Sequence, residues 1–153
     1  MSIEPIIQSV VVKAAPNRAF DLFAARMADW WPKGKTIAKH PHVAMVMEPV
    51  AGGRWFERDA DGTETNWGQV LAWQPPERLL LAWQISCEWG YDPEILTEVE
   101  VTFAPAAGGG TLVRLEHRNL ERFGSDASRH ADKLRNGWPG KMDEFAAYAD
   151  AQV

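Results

Sequence analysis

Two ionisable residues, His117 and Glu57, and a set of tryptophans are where this chain could do chemistry. Residues 111–119 alternate, with Val113, Leu115 and His117 on one face and Arg114, Glu116 and Arg118 on the other, the period of a half-buried strand. An imidazole turned inward there is a hydrogen-bonded core residue, the polar anchor of a ligand, or an acid–base group, because histidine titrates near neutrality. Glu57 shares a strand face with Trp55, while Arg54 and Phe56 share the other. If Trp55 points inward, Glu57 follows it, and a buried carboxylate is costly unless it is paired. Glu57 is therefore a functional carboxylate, or it sits at the rim, or it pairs with an arginine. Used together, Glu57 and His117 would form an acid–base pair, which requires both to reach one substrate.

Tryptophan is abundant: eight in 153 residues, with Trp55, Trp67, Trp73, Trp83 and Trp89 in one stretch. Indoles either pack a core or wall a cavity for a flat apolar ligand. Trp83 shares a face with Leu79 and Leu81 and should point inward; Trp67 and Trp73 share a face by parity unless a bulge intervenes. Trp30, Trp31 and Trp138 fall at expected helix ends, where they could cap a cavity mouth. The candidate ligand-binding residues are accordingly Trp31, Trp55, Glu57, Trp67, Trp83, His117 and Trp138, and no catalytic residue is assigned. His40 and His42 stand two apart with no third ligand at useful spacing, so no metal is expected. Cys87, beside Glu88, has no neighbouring cation to make it a reactive thiolate. No nucleophile elbow, phosphate-cradling loop or dinucleotide fingerprint is present, and no cofactor is expected. Gly108-Gly109-Gly110 lies between strands and reads as a hairpin loop.

These residues need a scaffold, and the pattern supplies one. Residues 6–13 are rich in β-branched side chains and read as a first strand. Pro16 opens a helix, a position where its missing N–H costs nothing, and Phe20, Phe23, Ala24 and Met27 recur at helical spacing until Pro32 disfavours helix at Trp31. Residues 33–42 read as a loop. Strands are expected over 43–50, 54–58, 65–73 and 79–86, turned by Gly52-Gly53, Asp61-Gly62 and Pro75-Pro76. Residues 88–94 read as a loop, then Thr97, Val99, Val101 and Phe103 alternate in another strand before the return at 111–119. Residues 124–129 read as irregular. Leu134, Trp138, Met142, Phe145 and Ala149 mark a C-terminal helical stripe, interrupted by Gly137-Trp138-Pro139-Gly140, so the main helix is expected to start near Trp138. A curved antiparallel sheet with one apolar face needs a cover, and this helix is the only long element available.

Composition narrows the function classes. The length suits one domain, residues 1–153. A net charge of -5, a pI near 5.4 and scattered Lys and Arg argue against nucleic acid or an anionic membrane as partner. No apolar run is long enough to span a bilayer, and the start of the chain lacks the pattern of a secretory signal. A single cysteine fits a reducing, cytoplasmic setting. A homodimer is compatible with the sequence.

The frame Pro16…Ala19-Phe20…Trp31, Glu48-Pro49…Gly52-Gly53-Arg54-Trp55, Gly68-Gln69-Val70-Leu71, Pro75-Pro76-Glu77-Arg78-Leu79…Trp83, Thr97-Glu98-Val99, Gly110-Thr111…Leu115-Glu116-His117 and Gly137-Trp138 carries a family signature. It resembles the bacterial relatives of the C-terminal domain of the heat-shock-protein-90 ATPase activator, in the START-like, polyketide-cyclase-like superfamily. The resemblance covers nearly the whole chain. It implies an α+β helix-grip fold: a curved antiparallel sheet of six or seven strands around a long C-terminal helix, with one or two short helices after the first strand. It also implies a cavity between sheet and helix. The eukaryotic co-chaperone carries a separate N-terminal domain for which this chain has no room, which weighs against a chaperone partner. The leading expectation is thus non-catalytic binding of a small hydrophobic or aromatic molecule. The alternatives are a cyclase- or dehydratase-like enzyme using His117 and Glu57, and a chaperone-interaction module.

Overall fold

The computed structural model describes residues 3–32, 35–37 and 42–153. β1 (Ile6–Val12) leads into α1 (Pro16–Ala24) and the short α2 (Met27–Trp30). A meander follows: β2 (His42–Met47), β3 (Arg54–Asp59), β4 (Glu64–Gln74), β5 (Arg78–Trp83), β6 (Thr97–Pro105) and β7 (Thr111–Arg118). The sheet order is β1-β7-β6-β5-β4-β3-β2, so the first strand joins the last and the two edges are β1 and β2. Every neighbouring pair is antiparallel. A 3-10 turn at Leu120–Phe123 then delivers the chain to α3 (Ala127–Ala151), the long helix against the sheet's apolar face. This is the helix-grip arrangement.

Alternation decides the faces. Along β6 and β7 the residues Thr97, Val99, Val101, Phe103, Val113, Leu115 and His117 are buried and their neighbours are not. On the outer face Arg118 pairs with Glu98 and Glu100, and Arg78 with Glu100. These half-buried pairs on the sheet's outer surface keep that face wet and the register unambiguous.

α3 starts well before Trp138, at Ala127, and passes through Pro139 without a break. Two local signals opposed this: proline removes one i→i−4 bond, and two glycines are weak helix formers. Burial overrides them. Ala127, His130, Ala131, Leu134, Trp138, Met142, Phe145 and Ala149 recur at spacings of three and four and all face the core, and tertiary packing supplies most helical stability in proteins. Residues 127–129, expected to be irregular, are accordingly helical. Of the one or two short helices expected between the first strand and Trp31 there are two, α1 and α2, parted after Ala24.

Two bulges shape β4. One lies opposite Trp55/Phe56 and the other opposite Leu80/Leu81. They offset each other: Trp67 turns inward against Trp55 and Trp83, and Trp73 still reaches Phe20 on the inner side, in a T-shaped contact at 5.0 Å. Gly68 has to be glycine, because a Cβ there would stand 1.7 Å from the Ala82 carbonyl oxygen. The sheet bends tightly where β4 meets β5, beneath the indoles.

Candidate functional site

Between the bend of the sheet and α3 lies a cavity of about 440 Å³, within the usual range for small-molecule sites. Trp67 and Trp83, from β4 and β5, form its floor, with Ile85 and Trp89 from the segment that follows. α3 contributes Lys133, Leu134, Gly137 and Lys141, and the stretch after α2 contributes Trp31, Lys35, Thr36 and Ile37. Trp89 is 44% exposed and stands at the mouth; it has a positive φ of 62° and leans on His130, ring to ring at 4.8 Å. The aromatic walls support one another: Trp31 meets Trp67 edge-on at 5.2 Å, and Trp67 meets Trp83 edge-on at 5.6 Å, the geometry that ring quadrupoles favour.

Of the seven candidate residues, Trp31, Trp67 and Trp83 line this cavity; Trp55, Glu57, His117 and Trp138 stand in the layer behind it. Trp55 packs between Trp67 and Trp83 at 5.5 and 5.8 Å. Trp138 lies mid-helix, not at a helix end, with its ring 5.6 Å from Trp83. Glu57 is fully buried on the inner face, as its parity with Trp55 requires. Its Oε1 accepts from the Trp67 indole N–H at 2.9 Å and from the Ile37 amide at 2.7 Å. One carboxylate oxygen thus fixes both a floor tryptophan and the cavity's flanking strap. Trp31 ties the same strap, donating its N–H to the Lys35 carbonyl at 2.8 Å.

His117 is also fully buried, and both its nitrogens are engaged. Indole is only a donor, so the 3.1 Å bond from Trp138 Nε1 makes His117 Nδ1 an acceptor and leaves the proton on Nε2. That N–H donates to Thr97 Oγ1 at 2.8 Å, whose own hydroxyl donates to the Trp83 carbonyl at 2.9 Å. The chain is closed and uncharged. Burial, helped by the charges of His130 and Lys141, pushes the His117 pKa down to about 3. At neutral pH this imidazole is a fixed neutral link, and neither it nor Glu57 lines the cavity.

The charged side chains that do line it were not among the candidates. Lys141 is 6% exposed, with its ammonium 5.2 Å from the Trp138 ring centre and 5.7 Å from that of Trp31. Burial, then the nearby charge of Lys35, lowers its pKa to about 8. A sequence signal existed: Lys141 falls three residues after Trp138 and four before Phe145, inside the apolar stripe of the helix. Lys35, Thr36 and Ile37 come from a loop, and no periodicity could have found them. Among the described residues no group of His, Cys, Asp or Glu is arranged to hold a metal; His40 and the side chain of His42 lie outside those residues. Cys87 lies 3.9 Å from the Phe123 carbonyl and its pKa is raised, by burial first and then by Glu88. No helix among the described residues is long and apolar enough to cross a membrane.

Several solved structures share this architecture. An anthrahydroquino-γ-pyrone synthase, Txn09, solved in complex with SUM, is 39% identical over 95% of this chain and 97% of its own, with a TM-score of 0.67. The self-sacrificing resistance protein CalC from Micromonospora echinospora is 30% identical over 97% and 95%, with a TM-score of 0.71. The Aha1 dimer from Colwellia psychrerythraea shares the fold at 13% identity, over 97% of each chain, with a TM-score of 0.64. No curated protein sequence matches the chain. The model of the Activator of Hsp90 ATPase homolog 1-like proteins matches residues 13–150, and with that match over the helix-grip scaffold the chain belongs to this family, within the START-like superfamily.

Proposed function

We propose that the chain is a binding protein for a small planar aromatic molecule, held in the cavity between the bent sheet and α3. The observation that carries this reading is a hollow of about 440 Å³ that four indoles wall without filling. Trp31, Trp67 and Trp83 give it flat apolar surfaces, and Trp89 closes one side of its mouth. Trp55, Trp138, Glu57 and His117 act from behind, holding those rings in place. Stiff walls reduce the ordering cost of binding. Two similar proteins support the reading: one is named as an anthrahydroquino-γ-pyrone synthase and was solved in complex with SUM; the other is a self-sacrificing resistance protein.

The same synthase also favours a catalytic reading. Here His117 and Glu57 are poor candidates for the acid–base pair, since both stand behind the walls and His117 has no free nitrogen. A chaperone role takes its support from the family description alone. The lone cysteine suits a reducing compartment, and we assign the protein, as one domain, to the cytoplasm.

Calorimetric titration with an uncharged aromatic, 2-naphthamide, tests the binding reading. Trp89→Ala removes an exposed ring and should weaken binding roughly tenfold, the equivalent of about 1.4 kcal/mol, with the melting temperature unchanged. Trp73→Phe, outside the cavity, should leave affinity as it was. No heat of binding from the parent protein at millimolar 2-naphthamide or its anionic counterpart 2-naphthoate would defeat the proposal.

A further inference from the structure

The charged side chains that line the cavity are all cationic. Lys35, Lys133 and Lys141 line it, and no aspartate or glutamate among the described residues does. Lys141 is the buried one, and among the described residues its ammonium has neither a hydrogen-bond nor an ion-pair partner, only the faces of Trp31 and Trp138. Trp83, 1% exposed and also lining the cavity, has an indole N–H with no acceptor among those residues. A buried ammonium without a counter-charge is costly, and so is a buried donor left unmade. Such groups persist where something else completes them. The backbone makes room for the arrangement: at Gly137 a Cβ would come within 3.2 Å of the Lys141 ammonium.

Building on the aromatic-ligand reading, we infer that the cavity selects aromatic anions, with Lys141 pairing a carboxylate or ionised phenol oxygen carried by the ring system. The indoles of Trp31, Trp67 and Trp83 take the ring, and the Trp83 N–H is a second donor to the same polar edge. The other titratable groups facing this end of the cavity are Lys35 on the strap, Lys133 on the same helix, and His117 on β7, which is neutral. The two further lysines raise the local positive potential, which an incoming anion relieves.

The test compares 2-naphthoate with 2-naphthamide, near-isosteres that differ in charge, by calorimetry on the full chain at pH 7. Naphthoate should bind at least tenfold tighter, as expected of a charge-assisted hydrogen bond in a desolvated site. Lys141→Met should abolish that preference while keeping naphthamide binding, and Lys141→Arg should retain most of it. In the parent protein the preference should shrink as the pH rises above about 8, where the free amine loses its proton, a readout that needs no variant. Equal affinity for both ligands, or a preference surviving in Lys141→Met or unchanged at high pH, overturns this inference and leaves the cavity reading standing. Failure of both ligands to bind overturns the two together.

Discussion

The closed chain Trp138–His117–Thr97–Trp83 makes acid stability a quantitative matter. His117 is fully buried and neutral, with a pKa of about 3 against the ordinary 6.5, while in the unfolded chain it titrates at the ordinary value. Between those two values the unfolded state binds one more proton than the folded state, so stability falls as pH falls through that window. It is unaffected by this residue above the window and levels off below it. Integrated from pH 7 to pH 5, the loss is about 2 kcal/mol, at close to 1.4 kcal/mol per pH unit once below pH 6. Urea unfolding of the parent and of His117→Leu at pH 7, 6 and 5 isolates this contribution, because carboxylates and His130 titrate in both proteins. The variant starts less stable, by about 1–3 kcal/mol for the Trp138 N–H left without an acceptor, but its curve should be flatter, so the gap narrows by about 2 kcal/mol at pH 5. Parallel curves would refute the neutral buried imidazole. Nitrogen chemical shifts of the parent's ring probe the same state without a variant: at pH 5 Nε2 should carry the proton and Nδ1 should be bare, and a doubly protonated ring would exclude the closed chain.

Other perturbations separate scaffold from cavity. Thr97→Val keeps the shape but removes both the acceptor for His117 and the donor to the Trp83 carbonyl; denaturant titration should show a loss of about 1–3 kcal/mol. Gly68→Ala puts a methyl 1.7 Å from the Ala82 carbonyl oxygen, and the forced separation of β4 and β5 should cost about 3 kcal/mol or more in thermal melts. Gly140→Ala, with open space around its Cβ, should stabilise α3 by about 0.5–1 kcal/mol and leave ligand affinity unchanged. Gly137→Ala should also be tolerated by the fold, because it meets only the flexible end of Lys141. Its cost should appear instead as weaker naphthoate binding in calorimetry.

The strands were legible because a sheet with one wet face writes its burial into period two: residues 97–103 and 111–118 alternate cleanly, and both are strands. The long helix was legible as a stripe but not in its start, since Pro139 and two glycines argue locally for a boundary that burial overrules. Within the site, parity placed Trp83, Glu57 and His117 on the inner face, where the structure has them buried. Parity says nothing about depth, however. It cannot tell a residue that touches a cavity from one that braces the residue touching it, and Trp55, Trp138 and His117 are of the second kind. Lys141 was readable as a charge inside an apolar stripe, but a long amine is usually assumed to reach solvent from such a position. Only the packing of Trp31 and Trp138 around it reveals that it stays in.

Trp138 joins the two halves of the site. Its N–H completes the His117 chain, and its ring face lies against the Lys141 ammonium. The arrangement requires a bare Nδ1 on His117 and a proton on Lys141 at the same time. Free histidine and lysine satisfy that pair of conditions between their ordinary values of 6.5 and 10.5; burial moves both down, to about 3 and about 8. The working interval therefore shifts to cover the acid side of neutrality, and at pH 7 the lysine is still about nine-tenths charged. Acid attacks the cavity from behind, by protonating the nitrogen that Trp138 needs. Alkali attacks from within, by removing the charge an anionic ligand needs. A protein that only packed its core here would gain nothing from a lysine at this position, and Met would fill the same space without the desolvation cost.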